Sequence, residues 1–314
     1  MTKSSRPRPS VATVGSACSR VHRLVVAGAL AQRPRAAGHA WVFLQYLLGF
    51  RRLGFETLFV DRMPGDAAYL EAVMRRFQLP YALLDEQGRS AAGLSDDDVA
   101  SHVQGATVLN VMGYLQDERL LELAGQRVFV DIDPGFPQMW RALELADVFA
   151  GHDRFVTVGQ NIGRVDCEIP ACALDWIASP PPVVLDEWPV RAGGARFTTV
   201  ASWRGAFGPI EYQGKTYGLR VHEFRRFREL PRLVEEVFEL ALEVDPAETR
   251  DLELLGENGW HLVDPRRVAA DPDAYRNYLQ RSKAELMIAK NMYVESRSGW
   301  FSDRSASTGL PLAR

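Results

Sequence analysis

The feature that most constrains the fold is a regular alternation of apolar extended segments with helical segments in the first half of the chain. Leu24–Leu30, Phe55–Val60 and Ala106–Val111 are short and apolar, as buried strands are. His39–Leu53, between the first two, is a strongly apolar helix, and Gly54 is well placed to end it. Because parallel strands need a helical crossover of this kind, the pattern predicts βαβ units and a doubly wound parallel sheet.

The same alternation continues to about residue 158. It predicts helices at Tyr69–Phe77, Asp96–His102, Asp117–Ala124 and Pro137–Ala146, and strands at Tyr81–Leu84, Arg127–Ile132 and Arg154–Val158. The proline run Ser179–Pro182 then interrupts it, as a linker between domains does.

A second alternation follows the linker. It predicts strands at Arg196–Ser202, Asp251–Leu255 and Trp260–Val263, and helices at Glu229–Val244 and Pro272–Ala289. The predicted fold class is therefore α/β, with two Rossmann-like domains at residues 21–182 and 183–314. With only about four strands, the second domain is apparently incomplete. Residues 1–20 are rich in Ser, Arg and Pro without periodicity, which predicts a disordered tail.

Composition excludes several classes of protein. The chain is 46% hydrophobic with a formal net charge of −3, which is typical of a globular protein and gives no basic surface for nucleic acid. No apolar run is long enough for a membrane span. The three cysteines form no CxxC pair, so we expect a reduced, cytoplasmic protein without a metal site. The sequence leaves the oligomeric state open.

Ligands of doubly wound folds bind beyond the carboxyl ends of the strands, so the residues after each predicted strand are the candidates. In the first domain these are His39, Asn110, Asp131, Asp133 and Asn161. His39 suits a general base, or it caps the helix or packs against Trp41. The two aspartates suit a base, hydroxyl binding or a metal, and Asp133 alternatively forms a turn before proline. The two asparagines suit a hydroxyl group of an acceptor, or form ordinary turns.

In the second domain, Arg204 follows the first strand and suits a diphosphate. Lys215 and Arg220 are weaker candidates, because a solvated hairpin has the same composition. The run YVESRSGWFSDR, residues 293–304, is predicted as a strand, a turn and a helix start. Such a turn exposes backbone N–H groups at a helix N-terminus and binds anions. Its candidate residues are Ser298, Gly299, Ser302 and Arg304.

The segments KNMYVESRSGWFSDRSA, GHAWVFLQYLLGFRRLG, FVDIDPGFPQ and TVGQNIG resemble those of a bacterial family of uncharacterised glycosyltransferase-like proteins with the GT-B fold. The resemblance runs from about Leu24 to Ala306. It implies a nucleotide-sugar donor on the second domain and a small-molecule or glycan acceptor on the first. It also implies that the family continues beyond the sequence RSA, so this chain resembles a C-terminally truncated member.

The function expected from these residues is metal-independent transfer of a sugar from a nucleotide-sugar to a hydroxyl acceptor, with no cofactor. His39 or Asp131 is the expected base. The expected acceptor contacts are Asn110, Asp133 and Asn161. The donor contacts are Arg204, Lys215, Ser298, Gly299, Ser302 and Arg304. The alternative is a non-catalytic, degenerate GT-B-like binding module or truncated gene product. A Rossmann-type dehydrogenase is disfavoured, because no GxGxxG follows the first strand.

Overall fold

Residues 22–189, 191, 194–205 and 207–307 of the 314-residue chain are described by a computed structural model. They form an eight-stranded sheet, a four-stranded sheet and a two-stranded hairpin, with helices packed around them. The α/β class is therefore confirmed. The predicted tail, residues 1–20, and the last residues, 308–314, lie outside the described residues.

The large sheet is built from the first half of the chain. Its strands are β1 (Arg23–Ala27), β2 (Glu56–Arg62), β3 (Tyr81–Leu84), β4 (Ser90–Gly93), β5 (Thr107–Val111), β6 (Gln126–Asp131), β7 (Arg154–Thr157) and β8 (Trp176–Ala178). Their spatial order is β4-β3-β2-β1-β5-β6-β7-β8, and all neighbours are parallel except β3 and β4. The helices between them are α1 (Ala37–Arg52), α2 (Ala67–Phe77), α3 (Asp96–Val103), α4 (Glu118–Leu123) and α5 (Phe136–Ala142).

Local sequence explains these elements well. The central strands are buried on both faces, which is why they appear as continuous apolar runs. Asp66, Ser95 and Asp117 cap the N-termini of α2, α3 and α4 through their side-chain oxygens. The predictions for this half are confirmed, with ends shifted by a few residues. The short strands β4 and β8 lack a predictive pattern and were not expected.

The small sheet lies in the second half, in the order β13-β12-β9-β14, with every neighbouring pair parallel. Its strands are β9 (Arg196–Ser202), β12 (Val237–Glu243), β13 (His261–Val263) and β14 (Ala284–Glu285), and the hairpin is β10 (Ile210–Tyr212) with β11 (Lys215–Tyr217). The helices are α6 (Arg220–Arg226), α7 (Leu230–Leu233), α8 (Thr249–Glu257), α9 (Pro265–Val268), α10 (Pro272–Gln280), α11 (Asn291–Glu295) and α12 (Asp303–Ser307), and Leu185–Glu187 forms a 3₁₀ turn.

Several predictions in this half are wrong. The expected long helix Glu229–Val244 is the short helix α7 followed by the central strand β12, because every residue from Phe238 to Leu242 must be buried between neighbouring strands and the helices on both faces. The expected strand Asp251–Leu255 lies within α8, where Asp251 and Leu255, four residues apart, share the buried face.

The first part of the run YVESRSGWFSDR is also not a strand. It lies in helix α11, where Val294 donates to the carbonyl of Lys290 and Ser296 to that of Met292. The helix start predicted near Ser302 is confirmed, since α12 begins at Asp303. The expected helix Pro272–Ala289 ends at Gln280, and Ala284–Glu285 pairs with β9 instead.

The two halves share a hydrophobic core. Helix α10 packs on α1, and Tyr275 and Leu279 belong to the same buried cluster as Trp41 and Leu44. The indole N–H of Trp41 donates a hydrogen bond to the carbonyl of Pro272 at 3.0 Å. In the part of the chain that the structure covers, no helix has the length and apolar content needed to cross a bilayer.

Candidate functional site

The strand order of each sheet fixes where a ligand crevice forms. In the large sheet the chain runs outward from β1 in both directions, so the order reverses between β1 and β5. In the small sheet the corresponding reversal lies between β9 and β14. Crevices in doubly wound sheets open at the carboxyl ends of the strands at these points.

A cleft of about 380 Å³ connects the two reversal points. The first half contributes the loop after β1 and the start of α1, from Arg33 to Val42, and the second half contributes the end of β9, Val200 to Ser202. Its volume lies within the range of about 300–1,000 Å³ that small-molecule sites occupy. We call this space the cleft.

The cleft is cationic although the chain as a whole has a net charge of −3. Six basic side chains line the cleft, against only two carboxylates, which are those of Glu243 and Asp303. Among the described residues, four of the six form no ion pair. These four are Arg33, Arg35, Arg220 and Arg266. A concentration of unpaired guanidinium groups in a crevice attracts an anionic ligand.

Among these four arginines, Arg220 has a buried guanidinium nitrogen. It is the first residue of α6 and is partly exposed, and its Nε atom is buried without a hydrogen-bond partner in the described part of the chain. Burial and the nearby guanidinium of Arg304 lower the pKa of Arg220. Two neighbouring, desolvated cations repel each other, so a bound anion would stabilise both.

His39 lines the cleft at the first turn of α1. Its ring bonds to the backbone of Ala29, and since Nε2 has no partner this bond uses Nδ1. Burial, together with the charge of Arg33, lowers the pKa of His39 to about 3. The imidazole is therefore neutral at pH 7, and its Nε2 atom is buried without a hydrogen-bond partner among the described residues.

Asp131 lies beneath the cleft rather than in it. Its side chain is fully buried and accepts hydrogen bonds from Gln138 at 2.7 Å and Thr157 at 2.8 Å. Burial raises the pKa of Asp131 to about 6, although the two hydrogen bonds lower it. The carboxylate orders the ends of β6 and β7 and the start of α5.

Asp133 joins the two halves of the chain beside the cleft. Its carboxylate accepts hydrogen bonds from Lys290 at 2.5 Å and from the hydroxyl of Tyr293 at 2.5 Å. Lys290 and Tyr293 themselves line the cleft. Burial lowers the pKa of Lys290, which the charge of Asp133 opposes. Asp133 does not line the cleft itself, but it holds two side chains that do.

The two predicted asparagines form local contacts. The amide of Asn110 donates to the carbonyl of Leu115 at 2.8 Å and lies 3.0 Å from the ring of His152. The amide of Asn161 donates to the carbonyl of Arg297 at 2.9 Å. Asn110 therefore holds the turn after β5, and Asn161 attaches the loop after β7 to the second half.

Arg204 and Lys215, predicted to contact the donor, are paired with carboxylates. Arg204 binds Glu248, and Lys215 binds Glu168 at 2.7 Å. Glu168 also accepts hydrogen bonds from Tyr217 at 2.6 Å and Arg297 at 3.0 Å. The structure does not bring these two side chains into the cleft.

The predicted anion site of residues 293–304 has a different geometry from the one expected. The Ser298 hydroxyl bonds within its own turn, and Gly299, at φ +70°, packs against Asn161 so closely that a β-carbon would lie 2.9 Å from it. Ser302 is buried and accepts from the backbone of Arg304. Helix α12 has only five residues. Of these candidates, Arg304 lines the cleft, and its guanidinium lies 2.9 Å from Glu285.

Sequence reasoning did not single out several cleft residues. Arg33 and Arg35 lie in the loop after β1, so the rule that examines strand ends could have found them. Tyr275 lies in the predicted helix, whereas Lys290 and Arg266 lie in segments for which no element was predicted. No local pattern marks them, because only the packing of α10 and α11 brings them to the cleft.

Two larger cavities occur elsewhere. One of about 510 Å³ is lined by Arg196, Glu239 and Tyr278, and one of about 570 Å³ by Gly113 and His152. Each is lined from one sheet and its helices, and neither involves both strand reversals, so we favour the cleft on topology. Within the described ranges, no three His, Cys, Asp or Glu side chains are grouped so as to hold a metal ion.

Comparisons with known proteins add little to this picture. No protein-family model matches the chain, and no curated protein matches it. Among solved structures, the chain aligns with "Crystal structure of LpCGTa in complex with UDP" over 93% of this chain and 91% of that chain. The sequence identity is 11% and the TM-score is 0.36. Similarity at this TM-score is too low to support a conclusion about fold or function, which must come from the residues of the cleft.

Proposed function

We propose that this chain transfers a sugar from a nucleotide-sugar to a hydroxyl acceptor without a metal ion, with its two sheets arranged as a GT-B-like pair of domains. The observation that carries the proposal is the cationic cleft between the carboxyl ends of both sheets. A nucleoside diphosphate has the charge and size for such a cleft, and the family resemblance of residues 24–306 points to the same donor class.

The chemistry requires that negative charge developing on the leaving diphosphate be stabilised as the anomeric bond breaks. Arg220 is our first choice for this contact, because it is unpaired and desolvated. Arg33, Arg35 and Arg266 line the same space. Charge-assisted hydrogen bonds from preorganised arginines are worth about 1.5–3 kcal/mol each, so two or three supply a useful fraction of the barrier reduction.

His39 remains in the proposed site, with a role that its environment defines. A neutral imidazole with a free Nε2 accepts a hydrogen bond from a sugar or acceptor hydroxyl. With its pKa lowered to about 3, His39 takes up a proton poorly at pH 7, so we propose that it orients a substrate hydroxyl.

Calorimetric titration with UDP-glucose, GDP-mannose, ADP-glucose and dTDP-glucose tests the proposal. We expect at least one to bind the wild type, and the affinity to fall about 10- to 100-fold in Arg220→Ala, since one charge-assisted contact is lost. Arg250→Ala, which removes an exposed arginine outside the cleft, is the matched control. Equal affinity in Arg220→Ala and wild type would reject the donor assignment.

A nucleotide-sugar-binding module without turnover is the alternative function. The observation that favours it is the condition of the two expected bases, since Asp131 is enclosed by its partners and His39 is a weak proton acceptor. Release of nucleotide from the bound sugar donor, measured with hydroxyl acceptors present, separates the two functions. Binding without any release supports the module.

A further inference from the structure

A small side pocket of about 70 Å³ opens next to the cleft. Apolar side chains of four segments form most of its wall. They are Val42 and Tyr46 of α1, Ile132 and Val158 after β6 and β7, and Trp300 and Phe301 before α12. Val42, Trp300 and Asp303 line both the side pocket and the cleft, so the two spaces adjoin.

Asp303 is the acidic group at this junction. Its carboxylate accepts a hydrogen bond from the backbone N–H of Arg304. The guanidinium of Arg304 forms its ion pair with Glu285, at 2.9 Å. The hydroxyl of Ser307 donates to the backbone carbonyl of Asp303 at 2.8 Å. Among the described residues, the carboxylate itself accepts from backbone N–H groups and forms no ion pair. The carboxylate is thus held in place and retains capacity to accept from a ligand.

We propose that Asp303 accepts the proton of an acceptor alcohol whose apolar end occupies the side pocket. This inference rests on the proposed transfer reaction, and it names the acceptor class and the base. The acceptor lies where an apolar wall, a carboxylate and the donor cleft meet, and these are the three surfaces that an apolar alcohol needs.

The step balances without a further reactant. The acceptor oxygen forms a bond to the anomeric carbon, and its proton passes to the Asp303 carboxylate. The bond between the anomeric carbon and the diphosphate oxygen breaks, and its electron pair stays on the diphosphate, beside the arginines of the cleft. Asp303 later releases the proton to water.

The environment of Asp303 suits a base. Burial raises the pKa of Asp303, which the charge of Arg304 opposes. The other titratable groups around it are Glu285 of β14, Tyr46 of α1 and Tyr275 of α10. Burial raises the pKa of both tyrosines, which therefore stay neutral at pH 7. A carboxylate with a raised pKa takes up a proton more readily than His39 does.

The volume of the side pocket limits the acceptor. A closed apolar cavity of about 150 Å³ holds benzene, so 70 Å³ accommodates the end of an alkyl chain or the edge of a ring. The exposed ring of Phe301 extends the apolar surface outward. Alcohols such as benzyl alcohol and hexan-1-ol meet these limits, whereas glycerol buries no apolar group.

Acceptor binding is tested without any donor by ligand-detected NMR with benzyl alcohol. Val42→Trp fills the side pocket, and Val165→Trp places the same side chain on a fully exposed loop residue as control. We expect binding to the wild type and Val165→Trp, and loss of at least tenfold in affinity in Val42→Trp. No binding to the wild type, or equal binding to both variants, overturns the acceptor assignment.

The role of Asp303 is tested with Asp303→Asn and a nucleotide-sugar that the wild type turns over with benzyl alcohol. We expect transfer to fall about 10²- to 10⁴-fold, with the KM for the donor within threefold and partial rescue in Asp303→Glu. The rise of the wild-type rate with pH should be missing in Asp303→Asn. Undiminished transfer overturns the role of Asp303. If no nucleotide-sugar binds at all, the proposed function fails, and the NMR result still decides the acceptor class.

Discussion

At the scale of single residues, Arg304 illustrates how burial changes the meaning of a candidate. From sequence it is a donor contact at a helix start. In the structure its guanidinium faces Glu285, whose side chain is almost fully buried. Removing one partner of such a pair leaves an uncompensated charge in the interior.

We therefore predict that Arg304→Ala lowers the free energy of unfolding by about 3–5 kcal/mol. Arg304→Ala combined with Glu285→Gln should recover most of that loss, because the remaining side chain is then neutral. Guanidinium unfolding monitored by circular dichroism measures both variants. If Arg304→Ala unfolds at the wild-type midpoint, the ion pair contributes nothing to stability.

Asp131 gives a prediction about pH. Its pKa in the folded protein is about 6, above the ordinary value of 3.8, so the folded state binds the proton more tightly. The stability associated with this carboxyl is complete below pH 4 and is lost as the pH rises through about 6. The total change is roughly 3 kcal/mol, from a shift of about two pKa units.

Asp131→Asn does not titrate and serves as the reference. We expect the wild type to lose roughly 3 kcal/mol relative to this variant between pH 3.5 and pH 7, measured as the difference between their free energies of unfolding. Parallel curves for the two proteins would mean that the pKa of Asp131 is not raised by burial.

At the scale of elements, the contact between α1 and α10 holds the cleft together. Trp41 is buried in it, lies 4.7 Å from Trp188 between ring centroids, and donates to the Pro272 carbonyl. We predict that Trp41→Ala lowers the free energy of unfolding by about 3–5 kcal/mol, whereas Trp41→Phe, which keeps most of the contact area, costs about 1–2 kcal/mol. Equal losses in chemical denaturation would show that the ring packing matters little.

The elements that sequence predicts correctly share a physical property. Helices α2, α3 and α4 carry their own capping residues, and β1 and β2 are set by local apolar runs. Phe238, Leu240 and Leu242 alternate with Glu239 and Ala241, which is the period of a strand. The helix prediction for this segment followed the helix propensity of its leucine, glutamate and alanine residues instead. Its position between β9 and β13 explains why residues on both of its faces are buried.

The residues of the candidate site were likewise predictable from sequence only where a local pattern marks them. His39 and Arg304 follow from examining strand ends and the turn before α12, and both line the cleft. Lys290 reaches it only through the packing of α11, which has no local signal, whereas Asp303 adjoins Arg304 in the same run but was not a candidate. Arg204 and Lys215 have the right chemistry, but Glu248 and Glu168 are placed to neutralise them.

At the scale of the whole molecule, the distribution of charge distinguishes the cleft from the rest of the surface. A chain with a net charge of −3 repels an anionic ligand at long range, so binding depends on the arginines inside the cleft. We predict that affinity for a nucleotide-sugar falls by about an order of magnitude between 0.05 and 0.5 M sodium chloride, because salt shortens the Debye screening length. Benzyl alcohol, which is uncharged, should bind equally at both concentrations in the same titration.

The central claim is that the cleft between the two strand reversals binds a nucleoside diphosphate. A crystal structure of the chain soaked with the nucleotide that binds most tightly in calorimetry tests it most directly. The account predicts a diphosphate within hydrogen-bond distance of Arg220, between the loop after β1 and the end of β9. A diphosphate bound instead in the cavity lined by Arg196 and Tyr278 would contradict it.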